Sequence, residues 1–338
     1  MITALLRHVV HHGRVKRVAV VVVVAVVVIA GLAIPEFASS FVVSLAVNVL
    51  IYGLLAMSLD LLTGYTGLVS LGHASFMGVG AYGVAYGLKM GWRPWAAAGL
   101  GVGAALVAGG LAGLLAIRVK GLTFAILTLA VGQILWGLAF RWVAVSGGDA
   151  GLPAAQRPVI GPYDLADPTT YYYFVLVVWA LSTLFLVLLV RSPFGLTLQG
   201  VRDNENRMAA LGYYVAFHKY VAFLIGVSFA GVAGVLFAYF NLYVSPSLLD
   251  FTHNGTAIQM VIIGGPGTLW GAMVGAVVFV LLGQFVSLYV TRWVTLMGLV
   301  LIVVVLFARR GLWGEARAGL RSAQRRLERG PDATGVGE

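Results

Sequence analysis

Long apolar runs joined by short polar segments constrain this chain more than any other feature. They lie at 18–34, 41–62, 68–88, 94–117, 121–140, 171–190, 219–243, 268–288 and 292–308, with a shorter, weaker run at 248–263. A helix needs about 20 apolar residues to cross the roughly 30 Å hydrocarbon core of a bilayer. Lipid offers no hydrogen bonds to the backbone, so only helices and closed barrels can span it. Barrel strands alternate polar and apolar residues, and these runs do not. The expected fold is all-α: a polytopic transmembrane helical bundle of about eight to ten spans. Composition agrees, with 60% hydrophobic and only 10% charged residues against about 25% charged in soluble domains. The chain has no cysteine, which excludes a disulfide framework, a thiolate zinc site and a cysteine nucleophile.

Positive charge sets the expected orientation, because Lys and Arg accumulate in cytoplasmic segments. With a cytoplasmic N-terminus and ten crossings, 17 of the 22 Lys and Arg fall on the cytoplasmic side, leaving Lys89, Arg93, Arg141, Arg157 and Arg292 outside. An odd count would export the basic tail, so the weak run at 248–263 is expected to cross, tilted or broken. The first run exceeds the roughly 7–15 residues of a signal-peptide core and lacks a clear cleavage site, so a retained helix is expected. The domains are then a basic cytoplasmic N-terminus at 1–17, a transmembrane domain at 18–308 that includes the cytoplasmic loop 191–218, and a basic cytoplasmic tail at 309–338. Topology and lipid headgroups account for the net charge of +10, and no basic module with interleaved aromatics suggests nucleic acid.

Ionisable groups inside a membrane are costly and are candidates for function. Here they are Asp60, near the end of the second run, and His73, early in the third. Interfacial capping for Asp60 and a backbone hydrogen bond for His73 are the structural readings of the same residues. Two isolated groups make a poor proton relay. There is no HExxH motif, no acid cluster and no nucleophile–base pair, so no catalytic residue and no metal site is expected. The absence of a GxxxxGK[ST] phosphate loop means that the chain does not itself hold ATP.

Glycine carries more information. Gly83 with Gly87, Gly109 with Gly113 and Gly271 with Gly275 form GxxxG pairs that let helices pack closely. Gly64, Gly67, Ser70, Gly72 and His73 interrupt the entry to one run, and Gly264, Gly265 and Gly267 interrupt another. Gly64-x-x-Gly67 recurs as Gly264-x-x-Gly267. Paired Gly/Pro breaks in corresponding halves point to a transporter built from repeats, with these residues near its path.

The polar segment 191–218 is longer than a plain connector needs. Leu196 to Leu211 reads as a short helix ended by Gly212 in the left-handed conformation. Its charged and amide cluster, Arg202, Asp203, Asn204, Glu205, Asn206 and Arg207, suits either docking to a cytosolic partner or a solvated loop.

The stretch from Gly64 to Tyr82, Gly-Tyr-Thr-Gly-Leu-Val-Ser-Leu-Gly-His-Ala-Ser-Phe-Met-Gly-Val-Gly-Ala-Tyr, resembles the signature of LivM-type permeases of branched-chain amino-acid ABC importers. Gly121 to Ala130, Gly147 to Pro153, Ser192 to Gly212 and Ile263 to Gly271 resemble further segments of that family in the same order, over about 41–308. Urea and short-chain amide permeases share the Gly-Tyr-Thr-Gly and Ser-Leu-Gly-His pattern, while Ala74 and the Gly80-Ala81-Tyr82 ending resemble the amino-acid branch. The resemblance implies a multi-pass subunit of the cytoplasmic (inner) membrane. Its implied partners are a LivH-type permease subunit, two cytosolic ATPases that bind ATP and Mg, and a periplasmic binding protein. Segment 197–211 becomes a coupling helix entering an ATPase groove, with Ala209, Ala210 and Gly212 completing its cluster. A self-sufficient secondary transporter or channel is the alternative from another class.

Overall fold

A computed structural model describes residues 31–32, 34–154, 156–289, 293–308 and 311–315. The helices are α1 (Ser40–Asp60), α2 (His73–Lys89), α3 (Pro94–Ala116), α4 (Gly121–Arg141), α5 (Pro168–Val190), α6 (Pro193–Asp203), α7 (Glu205–Ala210), α8 (Val215–Asn241), α9 (Phe251–Gly264), α10 (Leu269–Tyr289) and α11 (Trp293–Phe307). Among the described residues, seven helices are long and apolar enough to cross a membrane. This is a polytopic helical bundle, as the apolar runs require. The basic N-terminus and most of both the first apolar run and the basic tail lie outside the described residues.

Local chemistry sets several boundaries. Asp167 accepts a hydrogen bond from Thr170 N at 2.8 Å, and Pro168 opens α5 where its missing N–H costs nothing. Asp250 caps α9 in the same way, accepting from His253 N at 2.7 Å. The 41–62 run continues as a π-helix over Leu61–Thr66 and stops at Gly67, whose φ is 76°. The next helix therefore starts at His73 rather than at 68.

The weak run forms a short helix preceded by an irregular turn. After α8 the chain turns back through a strand at Tyr243–Val244 and a 3-10 turn at Pro246–Leu249 before α9 begins. With 14 residues, α9 is about 21 Å long at 1.5 Å per residue, short of the roughly 30 Å hydrocarbon core. Pro246 lacks the N–H that a continuous helix would use.

Segment 196–211 is likewise not one helix. Asn204 has extended backbone (φ −163°, ψ 100°) and separates α6 from α7. Its Oδ1 accepts from Arg207 N at 2.9 Å, so an N-cap inside the run restarts the helix. Leu198 and Val201 are buried, but Leu211 is 67% exposed, so the two helices do not share one apolar side.

Glycine pairs bring the helices together. Gly83 of α2 lies against the backbone of Gly101 in α3, and Gly80 against Gly231 of α8. Gly113 of α3 accommodates the rings of Tyr220 and Phe223 from α8, and Gly275 of α10 abuts Met260 O of α9. The GxxxG spacings are thus helix-packing contacts.

The bundle has two distinct ends. At the loop end, β1 (Leu152–Pro153) pairs antiparallel with β4 (Tyr243–Val244), and β2 (Val159–Ile160) pairs with β3 (Tyr163–Asp164). Arg157 fastens this end. Its guanidinium donates to the carbonyls of Tyr239, Phe240, Leu165 and Ala166 and lies 4.8 Å from the Tyr171 ring centroid. Two of those carbonyls belong to the last turn of α8, where a cation satisfies orphan acceptors. The opposite end carries α6 and α7.

Candidate coupling junction

The two glycine-rich breaks, 203 residues apart at Gly64 and Gly267, meet at the α6 end. A Cβ on Gly64 would lie 2.0 Å from Gly267 N, so only glycine permits the approach. Asp60 is fully buried one turn earlier, and its Oδ1 accepts from Gly267 N at 2.7 Å. Its Oδ2 has no hydrogen-bond partner among the described residues. Arg202 of α6 reaches into the same place, its Nη1 donating to Gly64 O at 2.7 Å. The same guanidinium pairs with Asp203 Oδ1 at 3.0 Å. Gly67 lies 3.0 Å, measured from its would-be Cβ, from Arg202 Cγ. Asp60, Gly64, Gly67, Gly267 and Arg202 thus form one junction, with Gly264 and Gly265 just behind it in the α9–α10 turn.

His73, Ser70 and Gly72 lie elsewhere, between α1 and α4. His73 Nε2 lies 3.0 Å from Ser58 Oγ, and that hydroxyl donates to Leu55 O at 2.7 Å. A hydroxyl has one proton, so Nε2–H is the donor to Ser58. Nδ1 is then the bare nitrogen, buried and without a partner among the described residues, as is Ser70 Oγ. Gly72 approaches Thr128 O, and Leu71 N donates to Thr128 Oγ1 at 3.0 Å.

The polar cluster on α6 and α7 divides in two. Asp203, Asn204, Asn206, Arg207, Ala209, Ala210 and Gly212 are exposed. Glu205 turns inward and binds Lys219 of α8 and Lys120 of the α3–α4 connection, the latter at 2.8 Å. Burial works to raise the Glu205 carboxyl, but hydrogen bonds and charge from Lys120 and Lys219 outweigh it and hold the group below its ordinary value. Gly212 has φ 87°, the left-handed conformation its place predicts. Exposed Leu211, Tyr214 and Phe217 continue the surface beyond α7.

The family of branched-chain amino acid transport system permease components matches residues 41–308. The chain belongs to this family. Its members are transport permeases, not enzymes in themselves. The permease is 28% identical to the Escherichia coli K12 high-affinity branched-chain amino acid transport system permease protein LivM, over 88% of this chain and 76% of that one. It is 28% identical to the Salmonella typhimurium LT2 protein of the same name, over 85% and 73% of the two chains. A probable LivM of Methanocaldococcus jannaschii is 27% identical over 35% of each chain. No solved structure matches.

Two residues of this permease escape a reading of its sequence. Lys219 is 1% exposed and pairs with Glu205, yet its place at the start of an apolar run suggests only an interfacial charge. Asn254 is 2% exposed and binds Ser75 Oγ at 2.8 Å, Asp250 O at 2.9 Å and Leu249 O at 3.2 Å. Its Oδ1 accepts from Ser75 N at 3.1 Å, which joins the start of α9 to the start of α2. An amide inside an apolar run was the available signal, because in lipid such a group needs partners.

Proposed function

We propose that this permease carries branched-chain amino acids through the cytoplasmic membrane as one subunit of an ABC importer. A periplasmic binding protein delivers the solute, a LivH-type subunit completes the path, and ATP hydrolysis on two separate ATPases supplies the energy. The family match over 41–308 carries this reading. The E. coli and Salmonella relatives are described as high-affinity branched-chain amino acid permeases, which supports the substrate class. The exposed residues of α6 and α7 offer an ATPase surface, and Arg202 connects α6 to the meeting point of the two breaks. On this reading the α6 end is cytoplasmic, and the nine described traverses, α1–α5 and α8–α11, become ten with the run at 18–34.

Reconstitution tests it. Proteoliposomes holding the permease with its second permease subunit, ATPases and binding protein are expected to accumulate labelled leucine only with ATP inside the compartment that holds the ATPases. Uptake by this chain alone, without ATP, would sink the proposal and favour a self-sufficient carrier.

A further inference from the structure

Helix α9 has one polar face inside the membrane. Thr252, Thr256 and Gln259 stand at i, i+4 and i+7, so they share a face. All three retain exposure, while Asn254, Ala257 and Val261 on the other side are buried. A polar stripe turned to lipid would be costly, and such stripes face a partner or water.

This face borders a cleft of about 230 Å³. Ser247, Asp250, His253 and Gln259 give it polar groups, and Phe279 and Met297 give it an apolar wall. A second cleft of about 300 Å³ shares Ser247 and His253 and reaches Asn241 and Tyr243 at the loop end. Together they lead from the loop end to the start of α9 in the middle of the bundle. His253 stands where they meet. Its ring centroid lies 5.8 Å from that of Tyr52, and its buried Nε2 has no hydrogen-bond partner among the described residues. Its backbone N–H is already committed to Asp250.

We infer that the cleft along α9 is a resting site for a zwitterionic amino acid with an aliphatic side chain. The α-carboxylate lies at Ser247 and His253 Nε2, the ammonium faces Asp250, and the side chain packs on Phe279 and Met297. At about 230 Å³ the cleft is below the roughly 300–1,000 Å³ of sites for drug-sized ligands, which suits one amino acid. The inference rests on the reading of the chain as an amino-acid permease and adds where the solute touches it.

The absence of cysteine from the chain allows a clean test. Thr256→Cys, Gln259→Cys and the control Leu181→Cys, 63% exposed on the apolar Val177–Phe185 side of α5, are introduced singly into the assembled importer. Only a thiolate, which needs water, attacks a charged methanethiosulfonate, forming a mixed disulfide and releasing methanesulfinate. Thr256→Cys and Gln259→Cys are expected to react about tenfold faster than Leu181→Cys, and saturating leucine is expected to slow both. Enlarging the apolar wall by Met297→Ala is expected to raise phenylalanine uptake relative to leucine by about tenfold, the scale of pocket discrimination between apolar side chains. Cysteines no faster than the control overturn the site. So does labelling that leucine leaves unchanged, together with unaltered selectivity in Met297→Ala. Failure of the unsubstituted importer to take up leucine, isoleucine or valine overturns the amino-acid reading itself. Import by the unsubstituted protein with unprotected cysteines overturns only the placement along α9.

Discussion

The break at Gly64–Gly72 and the break at Gly264–Thr268 share a Gly-x-x-Gly spacing but turn the chain differently. In the first, α1 loosens into a π-helix, Gly67 reverses the backbone, and the chain runs through Leu68–Gly72 before α2 begins. In the second, Gly265 (φ 104°) and Gly267 (φ 83°) turn it within four residues. Their anchors differ as well. Arg202 holds the first break by Gly64 O, whereas Asp60, on α1, holds the second by Gly267 N. Helix α6 therefore grips the first break directly. Its hydrogen bond reaches the second break only through α1. A displacement of α6 would pull first on the π-helical end of α1 that carries Gly64, and on the α9–α10 pair through Asp60.

The largest expected effect comes from closing the gap between the breaks. Gly64→Ala places a Cβ 2.0 Å from Gly267 N and 2.4 Å from Asp60 Oδ1, with backbone on one side and a bonded carboxylate on the other. Overpacking of this kind costs about 1–3 kcal/mol or more. Gly267→Ala meets its nearest atom at 3.3 Å but must hold φ 83°, a left-handed strain of about 1–2 kcal/mol. Thermal denaturation in detergent is expected to rank Gly64→Ala below Gly267→Ala and both below the parent. Equal stability of Gly64→Ala and the parent would show that the breaks can separate freely.

A smaller loss is expected when the second break loses its anchor. Asp60→Ala leaves the buried Gly267 N–H without its acceptor, at about 1–3 kcal/mol. Asp60→Asn keeps an oxygen in place and is expected to lose less. On the proposed importer reading, because Asp60 does not touch α6 by hydrogen bond, Asp60→Ala should slow substrate-stimulated transport more than it weakens ATPase binding, while Arg202→Ala should affect both. ATPase stimulation and co-purification of the ATPases measure the two. Equal losses in both variants would remove the distinction between the breaks.

Much of this was legible in the sequence for physical reasons. Lipid forces apolar runs into helices, so the bundle could be read directly. Close backbone approach leaves glycine behind, so both breaks could be marked. Their contact could not be, since a hydrogen bond from Gly267 to Asp60 leaves no trace in local spacing. The restart at Asn204 was hidden in a different way. A helix-forming run and an N-cap look alike when the cap residue sits among other polar residues, and only the bond to Arg207 N separates them. Lys219 and Glu205 are divided by a turn, so Glu205 reads as one member of a polar cluster and Lys219 as an interfacial charge. The short α9 read as a weak span because Pro246 and Asp250 shorten the helix without interrupting the apolar composition.

The smallest effect sharpens the comparison at α7, which is held to α8 by Glu205 and Lys219 while α6 holds the first break. The Glu205 carboxyl lies below its ordinary 4.5, burial being outweighed by Lys120 and Lys219. A depressed folded value means that the ionised form stabilises the fold above the unfolded value, and that this stability is lost as pH falls through the folded value. Lys120 is 65% exposed and screened by solvent, so most of the effect belongs to Lys219, which is 2% exposed in its side chain. Acidification from neutral pH to below the Glu205 value should therefore lower amide protection in Glu205–Ala210, measured against the intrinsic exchange rate at each pH, while leaving protection of the Gly64 region less affected. Glu205→Gln should show the lower protection already at neutral pH and lose its acid dependence. Should the Gly64 region loosen in step with α7 in both proteins, α6 and α7 move as one body despite the break at Asn204. If only α7 responds, Arg202 holds α6 on the first break independently of the ion pair behind it.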